Sequence, residues 1–265
     1  NRGAEGPRIA VGRDTRCSGQ MIESALSAGI TSAGGNVYSI GEIPTPGVSF
    51  SVASGHFDGG AVISASHNPA EYNGIKYLDG DGFKLSDEEE LEIEGLYETD
   101  ARSERPTHGA VGRIYDAGEL TGKYLNFLLG IMEKVENRDH SILIDAANGA
   151  ASALVEPLFK NWKGPVSILA NQPDGLNINS GVGVTNMDFL RRKTMDAKAE
   201  IGIAYDGDTD RVLMCDGKGR IIDGDIMLWV IGRWLKSKGT LGSGVVATVM
   251  SNMVLEDLLA KEDIK

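Results

Sequence analysis

Two short segments hold most of the residues that could do chemistry. The first, residues 64–69 (SASHNP), runs on to Lys76 and directly follows the apolar run 61–63. In open α/β sheets, ligands bind beyond the carboxyl ends of the strands. Ser66 therefore stands where a nucleophile or a phosphate carrier belongs. His67 and Asn68 are polar groups beside it, Pro69 restricts Asn68 to extended backbone, and Lys76 can balance phosphate charge or move a proton. The competing reading is an ordinary polar turn between two strands. The second segment, residues 206–211 (DGDTDR), follows the strand-like run 201–205. Its carboxylates Asp206, Asp208 and Asp210 repel one another, and a divalent cation that prefers hard oxygen ligands, such as Mg²⁺, relieves that repulsion. Gly207 lets the backbone fold around an ion. An EF-hand reading fails, because Arg211 sits where Gly is needed and Gly217 where the bidentate Glu belongs. A solvated acidic turn competes here. Thr209 is β-branched and resists positive φ, which predicts ordinary backbone geometry for the loop. Together, a serine nucleophile and a three-carboxylate metal loop suggest phosphoryl transfer, with the metal offsetting phosphate charge and holding the transferring group in line.

Weaker candidates surround these. Arg13 and Arg16 (RDTR) follow the first strand, where they either bind phosphate or pair with nearby acids. Residues 79–82 (DGDG) read as a turn, and residues 216–219 (DGKG) as a hairpin turn. The four histidines, His56, His67, His108 and His140, have no zinc spacing, and only His67 has chemical context.

Charge and composition narrow the classes. The 265 residues carry 26 Lys+Arg against 38 Asp+Glu, a net charge of −12. This opposes general nucleic-acid binding, which needs a basic surface, but leaves room for an anionic small substrate at a locally positive site. No apolar run approaches the ~18 residues of a membrane span, so no membrane partner is expected. Cys17 and Cys215 lie far apart without metal spacing, which reads as a reduced, cytoplasmic protein. Glycine, at 35 of 265, is roughly twice its usual ~7%, as expected for many tight turns or close backbone approaches to a ligand.

Strand-like and helical stretches alternate along the chain, implying α/β layers with largely parallel sheets. Strands are expected at residues 8–12, 36–40, 60–64 and 75–78, with helices from Ser18 to about Ala33, over 45–54 and from the capping box at Ser86 to Tyr97. The polar stretch 100–112 predicts a boundary. A long helix is expected over 116–135, then strands at 142–145, 166–169, 201–205, 212–215 and 220–222, with helices near 150–161, 186–196 and 224–236. Residues 240–244 read as a Gly-rich hinge, followed by a strand at 245–250 and a helix over 251–260. The organisation read from this is a first α/β domain over 1–112, a second over 113–239 and the beginning of a third over 240–265. The chain starts almost directly in a strand, without Met, and ends in a helical stretch, so both ends read as cut.

At this point the motifs resemble the α-D-phosphohexomutase superfamily. The resemblance rests on residues 64–69 (SASHNP), 73–76 (NGIK) and 206–211 (DGDTDR), supported by 11–19 (VGRDTRCSG) and 82–86 (GFKLS). Within it, residues 174–179 (DGLNIN) and 145–151 (DAANGAA) look most like the bacterial phosphoglucosamine branch. The resemblance covers almost the whole chain. It implies two consecutive three-layer α/β domains with mixed sheets, plus the start of a third. It also implies reversible phosphoryl transfer between the 6- and 1-positions of a hexose phosphate, here glucosamine 6-phosphate to glucosamine 1-phosphate, through a phosphoserine and a bisphosphate intermediate. Ser66 then carries the phosphate, with Lys76 as general acid/base and His67 beside it. Arg211, Arg16 and Asn68 become phosphate contacts. Asp206, Asp208 and Asp210 become ligands of one Mg²⁺, completed by the Ser66 phosphate, and a hexose 1,6-bisphosphate acts as activator. The family's opening strand and helix, most of its third domain and all of its fourth are absent from this sequence, which predicts little mutase activity for the isolated chain. The alternatives are a phosphoglucomutase or phosphomannomutase of the same superfamily and a non-catalytic Mg²⁺- or phosphosugar-binding fragment.

Overall fold

A computed structural model describes residues 6–98, 106–136 and 138–265. Residues 1–5 and the 100–105 part of the expected boundary lie outside the described residues. Short runs of small and β-branched residues form the first sheet. Its strands are β1 (Arg8–Arg13), β2 (Asn36–Glu42), β3 (Gly59–Ile63), β4 (Ile75–Leu78) and β5 (Ile114–Asp116), in the order β4-β3-β1-β2-β5. β1 pairs in parallel with β2 and β3, β2 pairs in parallel with β5, and β4 runs antiparallel to β3 with Ile63 opposite Ile75. All five residues of β3 are buried, as expected of a strand covered on both faces. Helix α1 (Gly19–Ser32) covers one face through Ile22, Leu26 and Ile30, against Val11, Val37, Ala61 and Ile63. The other face packs on α2 (Thr45–Gly55), whose Val48 and Val52 join a core with Ile43, Phe57 and Val62. Helix α3 (Asp87–Glu98) opens with the expected reciprocal cap between Ser86 and Glu89.

The first sheet extends past the position expected to close its domain. β5 lies after Gly112, and α4 (Glu119–Met132) buries Leu120 and Tyr124 in the core beside Ala117. The helix expected over 116–135 thus gives its first residue to a strand, because β2 offers a free edge to Ile114–Asp116.

The second sheet has the order β10-β9-β8-β6-β7. β6 (Ile142–Asp145) pairs in parallel with β7 (Val166–Leu169) and β8 (Ile201–Tyr205), while β9 (Val212–Asp216) and β10 (Ile221–Ile222) are antiparallel. Helix α5 (Ser152–Phe159) sets Val155 on Ile142 and Ile144, and α6 (Met187–Asp196) sets Leu190 against Leu143, Ala199 and Cys215 on the other face. Both sheets are therefore mixed and layered by helices. Leu154 of α5 also enters the core beneath α4, which joins the two sheets by apolar contact.

Helices α7 (Gly224–Ser237) and α8 (Met253–Lys261) pack through Leu228, Trp229, Leu255 and Leu259. The strand expected at 245–250 does not form: Val246, Val249 and Met250 are 92%, 101% and 88% exposed. A β-prone run becomes a strand only with a neighbour to accept its ladder hydrogen bonds. Here only Val245 finds one, donating to the Lys265 carbonyl at 2.7 Å, and no described strand runs alongside the segment.

Candidate active site

The carboxyl ends of β3 and β8 face each other, and the two predicted segments meet there. Ser66 lies in the turn after β3, 8% exposed, in a left-handed backbone conformation with φ 53°. Its Oγ donates to Asp206 Oδ2 at 2.6 Å and accepts from the Arg211 guanidinium. The same guanidinium donates to His67 Nδ1 at 2.7 Å, which sets that ring nitrogen as acceptor. Lys76, on β4, reaches across to Asp208 Oδ2 at 2.7 Å and Asp210 Oδ2 at 3.0 Å. An open cleft of about 590 Å³ is lined by Ser66, His67, Lys76, Asp210 and Arg211, with Ser64 and Ala65 at its base. The cleft reads as one nucleophile, three cationic or polar side chains and a carboxylate edge.

The acidic loop is buried at its root and exposed at its tip. Asp206 and Asp208 are 0% and 1% exposed, whereas Asp210 is exposed. Burial pushes the Asp206 carboxyl above the usual range, and the neighbouring Asp208 and Asp210 charges add to this against its bonds to Ser66 and Arg211. Burial pushes Asp208 the same way, but hydrogen bonds from Lys76 and Thr45 outweigh it and hold this carboxyl below the usual range. Burial alone would lower Lys76, yet its bonds to Asp208 and Asp210 keep it raised, so it is held as an ammonium. Thr45, at the start of α2, donates through both its backbone N–H (to the Asp208 carbonyl, 2.9 Å) and its hydroxyl (to Asp208 Oδ2, 2.6 Å). The expected ordinary geometry at Thr209 is not found. Its φ is 60°, because the chain must reverse within a few residues to bring three carboxylates together. Gly207 has a separate requirement: a Cβ there would lie 2.7 Å from the Ser66 carbonyl oxygen.

The acidic residues suit a hard cation. Each of Asp206, Asp208 and Asp210 offers an oxygen, all within 4.8 Å of one another. Asp208 Oδ1 is buried with no hydrogen-bond partner among the described residues, a buried acceptor with capacity left for a ligand.

Two predicted phosphate contacts sit differently. Arg16 is a fully buried side chain that forms part of the turn's foundation. Its Nε donates to Asp14 Oδ2, Nη1 to the carbonyls of Pro69 and Tyr72, and Nη2 to those of Ser66 and Asn68. Every guanidinium N–H is engaged, so none is left for a phosphate. The competing reading, pairing with acids, describes Arg13 as well, which meets Glu23 at 3.3 Å. Asn68 has an exposed side chain and enters the site through its backbone carbonyl. The sequence reading gave no role to Thr45, Asp14, Ser64 or Asn179. Asn179 stood in the quoted DGLNIN motif, and Thr45 follows Pro44 at a helix start, but nothing local pairs either residue with a loop more than a hundred positions away.

Known proteins share these features. The family model described as phosphoglucomutase/phosphomannomutase, alpha/beta/alpha domain I, matches residues 1–104. Phosphoglucosamine mutase of Streptococcus mutans serotype c is 44% identical over 262 residues, 97% of this chain and 58% of that protein. Phosphoglucosamine mutase of Bacillus subtilis strain 168 is 44% identical over 261 residues, 98% of this chain and 58% of its own. A solved structure of a phosphoglucomutase/phosphomannomutase family protein from Burkholderia thailandensis superposes with a TM-score of 0.75 at 29% identity, covering 90% of this chain and 52% of that one. The chain spans a little over half the length of the curated relatives it matches.

Proposed function

Since this chain belongs to the α-D-phosphohexomutase superfamily, we propose that it carries the phosphoryl-transfer half of a phosphoglucosamine mutase, interconverting glucosamine 6-phosphate and glucosamine 1-phosphate. The observation that carries this reading is Ser66 Oγ held between Asp206 and Arg211 at the rim of an open cleft beside Lys76. Ser66 is charged by a hexose 1,6-bisphosphate. Its Oγ bonds to phosphorus, the bond from phosphorus to the sugar oxygen breaks, and the Oγ proton ends on that oxygen. The reverse step hands the phosphoryl group to the free hydroxyl of a hexose monophosphate and restores the serine. Arg211 and the Lys76 ammonium neutralise phosphoryl oxygens, and Lys76 donates or returns the proton. His67, held by Arg211, borders the same group. Asp206, Asp208 and Asp210 would hold Mg²⁺, which supplies Lewis-acid stabilisation of phosphate charge when bound. The 44% identity to proteins named phosphoglucosamine mutases favours glucosamine phosphate, while the name of the matched family model keeps phosphoglucomutase or phosphomannomutase as the alternative.

The same reading divides the chain into a unit carrying the Ser66 turn, a unit carrying the acidic loop and the start of a third from residue 240, with the first division placed beyond α4. A cytoplasmic setting accords with two free cysteines, Cys17 and Cys215. No helix of the described residues is long and apolar enough to cross a membrane.

The test is intact mass and peptide mapping after incubation with Mg²⁺ and glucose 1,6-bisphosphate. One phosphoryl group is expected on Ser66, falling to background in Ser66→Ala. Wild-type protein without phosphate on Ser66 overturns the reading.

A further inference from the structure

The Ser66 turn is held from both sheets through the same two carbonyl oxygens. From the first sheet, Arg16 Nη2 donates to the Ser66 and Asn68 carbonyls at 3.0 and 2.9 Å. From the second, Asn179 Nδ2 donates to those same oxygens at 2.8 and 3.0 Å. Asn179 is itself almost buried, in left-handed backbone at φ 58°, and its N–H is bound by the Ala147 carbonyl beyond β6. Ser66 is also left-handed, a conformation that a non-glycine residue keeps only where its surroundings enforce it. Apart from the side-chain bonds of Ser66 and His67 to the acidic loop, the Ser66 backbone is otherwise held from the first sheet: Ser64 Oγ accepts from Ser66 N at 2.8 Å and donates to Asp14 Oδ2 at 2.6 Å. Asn179 is thus the side chain that ties the backbone of Ser66 to the sheet carrying Asp206.

We propose that Asn179 is a positioning residue for phosphoryl transfer. By fixing the Ser66 carbonyl relative to β6 and β8, it registers Ser66 Oγ with the acidic loop. The inference rests on the phosphoryl-transfer reading above. Asn179 does not itself line the cleft and bonds only the Ser66 carbonyl, not the reacting Oγ, so its effect runs through Ser66. A displacement of about 1 Å in a reacting group lowers a rate by about 10²-fold, and the amide is the shortest link that could prevent such a displacement.

Two substitutions separate positioning from folding. Asn179→Gly removes the amide and suits the left-handed backbone. Asn179→Asp keeps the shape but turns carboxylate oxygens toward the two carbonyls. Leu190→Ala, in the core of the second sheet, loses stability without touching the turn. The readout is the rate of Ser66 phosphorylation by glucose 1,6-bisphosphate with Mg²⁺, followed by intact mass across bisphosphate concentrations, beside a thermal melt. Both Asn179 variants are expected to slow the maximal rate by about 10²-fold at unchanged half-saturating concentration, and Leu190→Ala to lower the melting temperature with the rate preserved. A phosphorylated wild type with unslowed Asn179 variants overturns this inference alone. A rate loss in Leu190→Ala matching that of the Asn179 variants at equal melting shift also overturns it, as a stability effect. A wild type that takes no phosphate on Ser66 overturns the inference and the proposed function together.

Discussion

At the Ser66 turn, four backbone carbonyls and a carboxylate are bound by Arg16, and two of those carbonyls are bound again by Asn179. In the facing acidic loop, Asp208 Oδ1 and Thr209 Oγ1 are buried without a hydrogen-bond partner among the described residues, and Thr209 sits at φ 60°. Both loops leave the carboxyl end of a strand, fully buried in β3 and alternately buried in β8. One is saturated with internal bonds before any ligand arrives, while the other keeps unspent acceptors; left-handed backbone occurs in both, at Ser66 and at Thr209. The contrast separates two tasks. A nucleophile must be held still, so its turn is over-determined. A cation site must retain coordinating capacity, so its loop is left incomplete.

Substitutions can sharpen or break this contrast. The largest stability effect is expected at the saturated turn. Arg16→Ala removes the cation paired with buried Asp14 and the guanidinium donors to four carbonyls, and should lower unfolding free energy by about 3–5 kcal/mol in urea melts; a loss no larger than that of a surface arginine would mean the turn is not over-determined. In the unsaturated loop, Asp208→Asn removes a charge from the cation site. Mg²⁺ affinity measured by calorimetry should fall by at least the ~10–100-fold typical of losing even an outer-shell partner, and an unchanged affinity would place the cation elsewhere. Thr209→Gly should move stability the other way. A left-handed conformation costs a side-chain-bearing residue roughly 1–2 kcal/mol, so relieving it should raise the unfolding free energy without Mg²⁺ by about 1 kcal/mol in urea melts; a lower value would show that the threonine is not strained.

The smallest effect lies outside both loops. Glu200 is held below the usual glutamate range by hydrogen bonds from the Ser141 backbone and hydroxyl and by His140. A depressed carboxyl contributes stability that is present above the ordinary glutamate range and is lost as pH falls through the lowered value. Glu200→Gln should therefore melt slightly below wild type at neutral pH, with the gap closing on acidification. A gap that widens in acid would contradict the direction of that shift.

Much of the fold was legible because its signals are local. The apolar run of β3, the Ser86–Glu89 cap and the helix starts at Thr45 and Gly224 depend on neighbours a few positions away. The misreadings share a different cause. Residues 245–250 have strand composition, but a strand needs a partner that composition cannot supply. β5 forms where no strand is expected, taking the first residue of the stretch read as helix, because β2 presents an edge to it. Thr209 adopts a backbone that its side chain disfavours because three carboxylates must converge.

The same division runs through the site. Ser66, Asp206, Asp208 and Asp210 could be named from residue type and position after a strand, and Lys76 from its charge in the segment that follows Ser66, since nucleophiles, cations and clustered carboxylates advertise their chemistry wherever they sit; Arg211 gained its role through the family resemblance. Sequence also determined the α/β class and the order of the two loops. Only the tertiary structure decided that Arg16 braces the turn and leaves no N–H for a phosphate, that Thr45 fastens Asp208, and that Asn179 reaches Ser66 across 113 positions. An arginine or an amide donates to whatever oxygen the fold brings within about 3 Å, and that geometry exists only once both sheets have assembled.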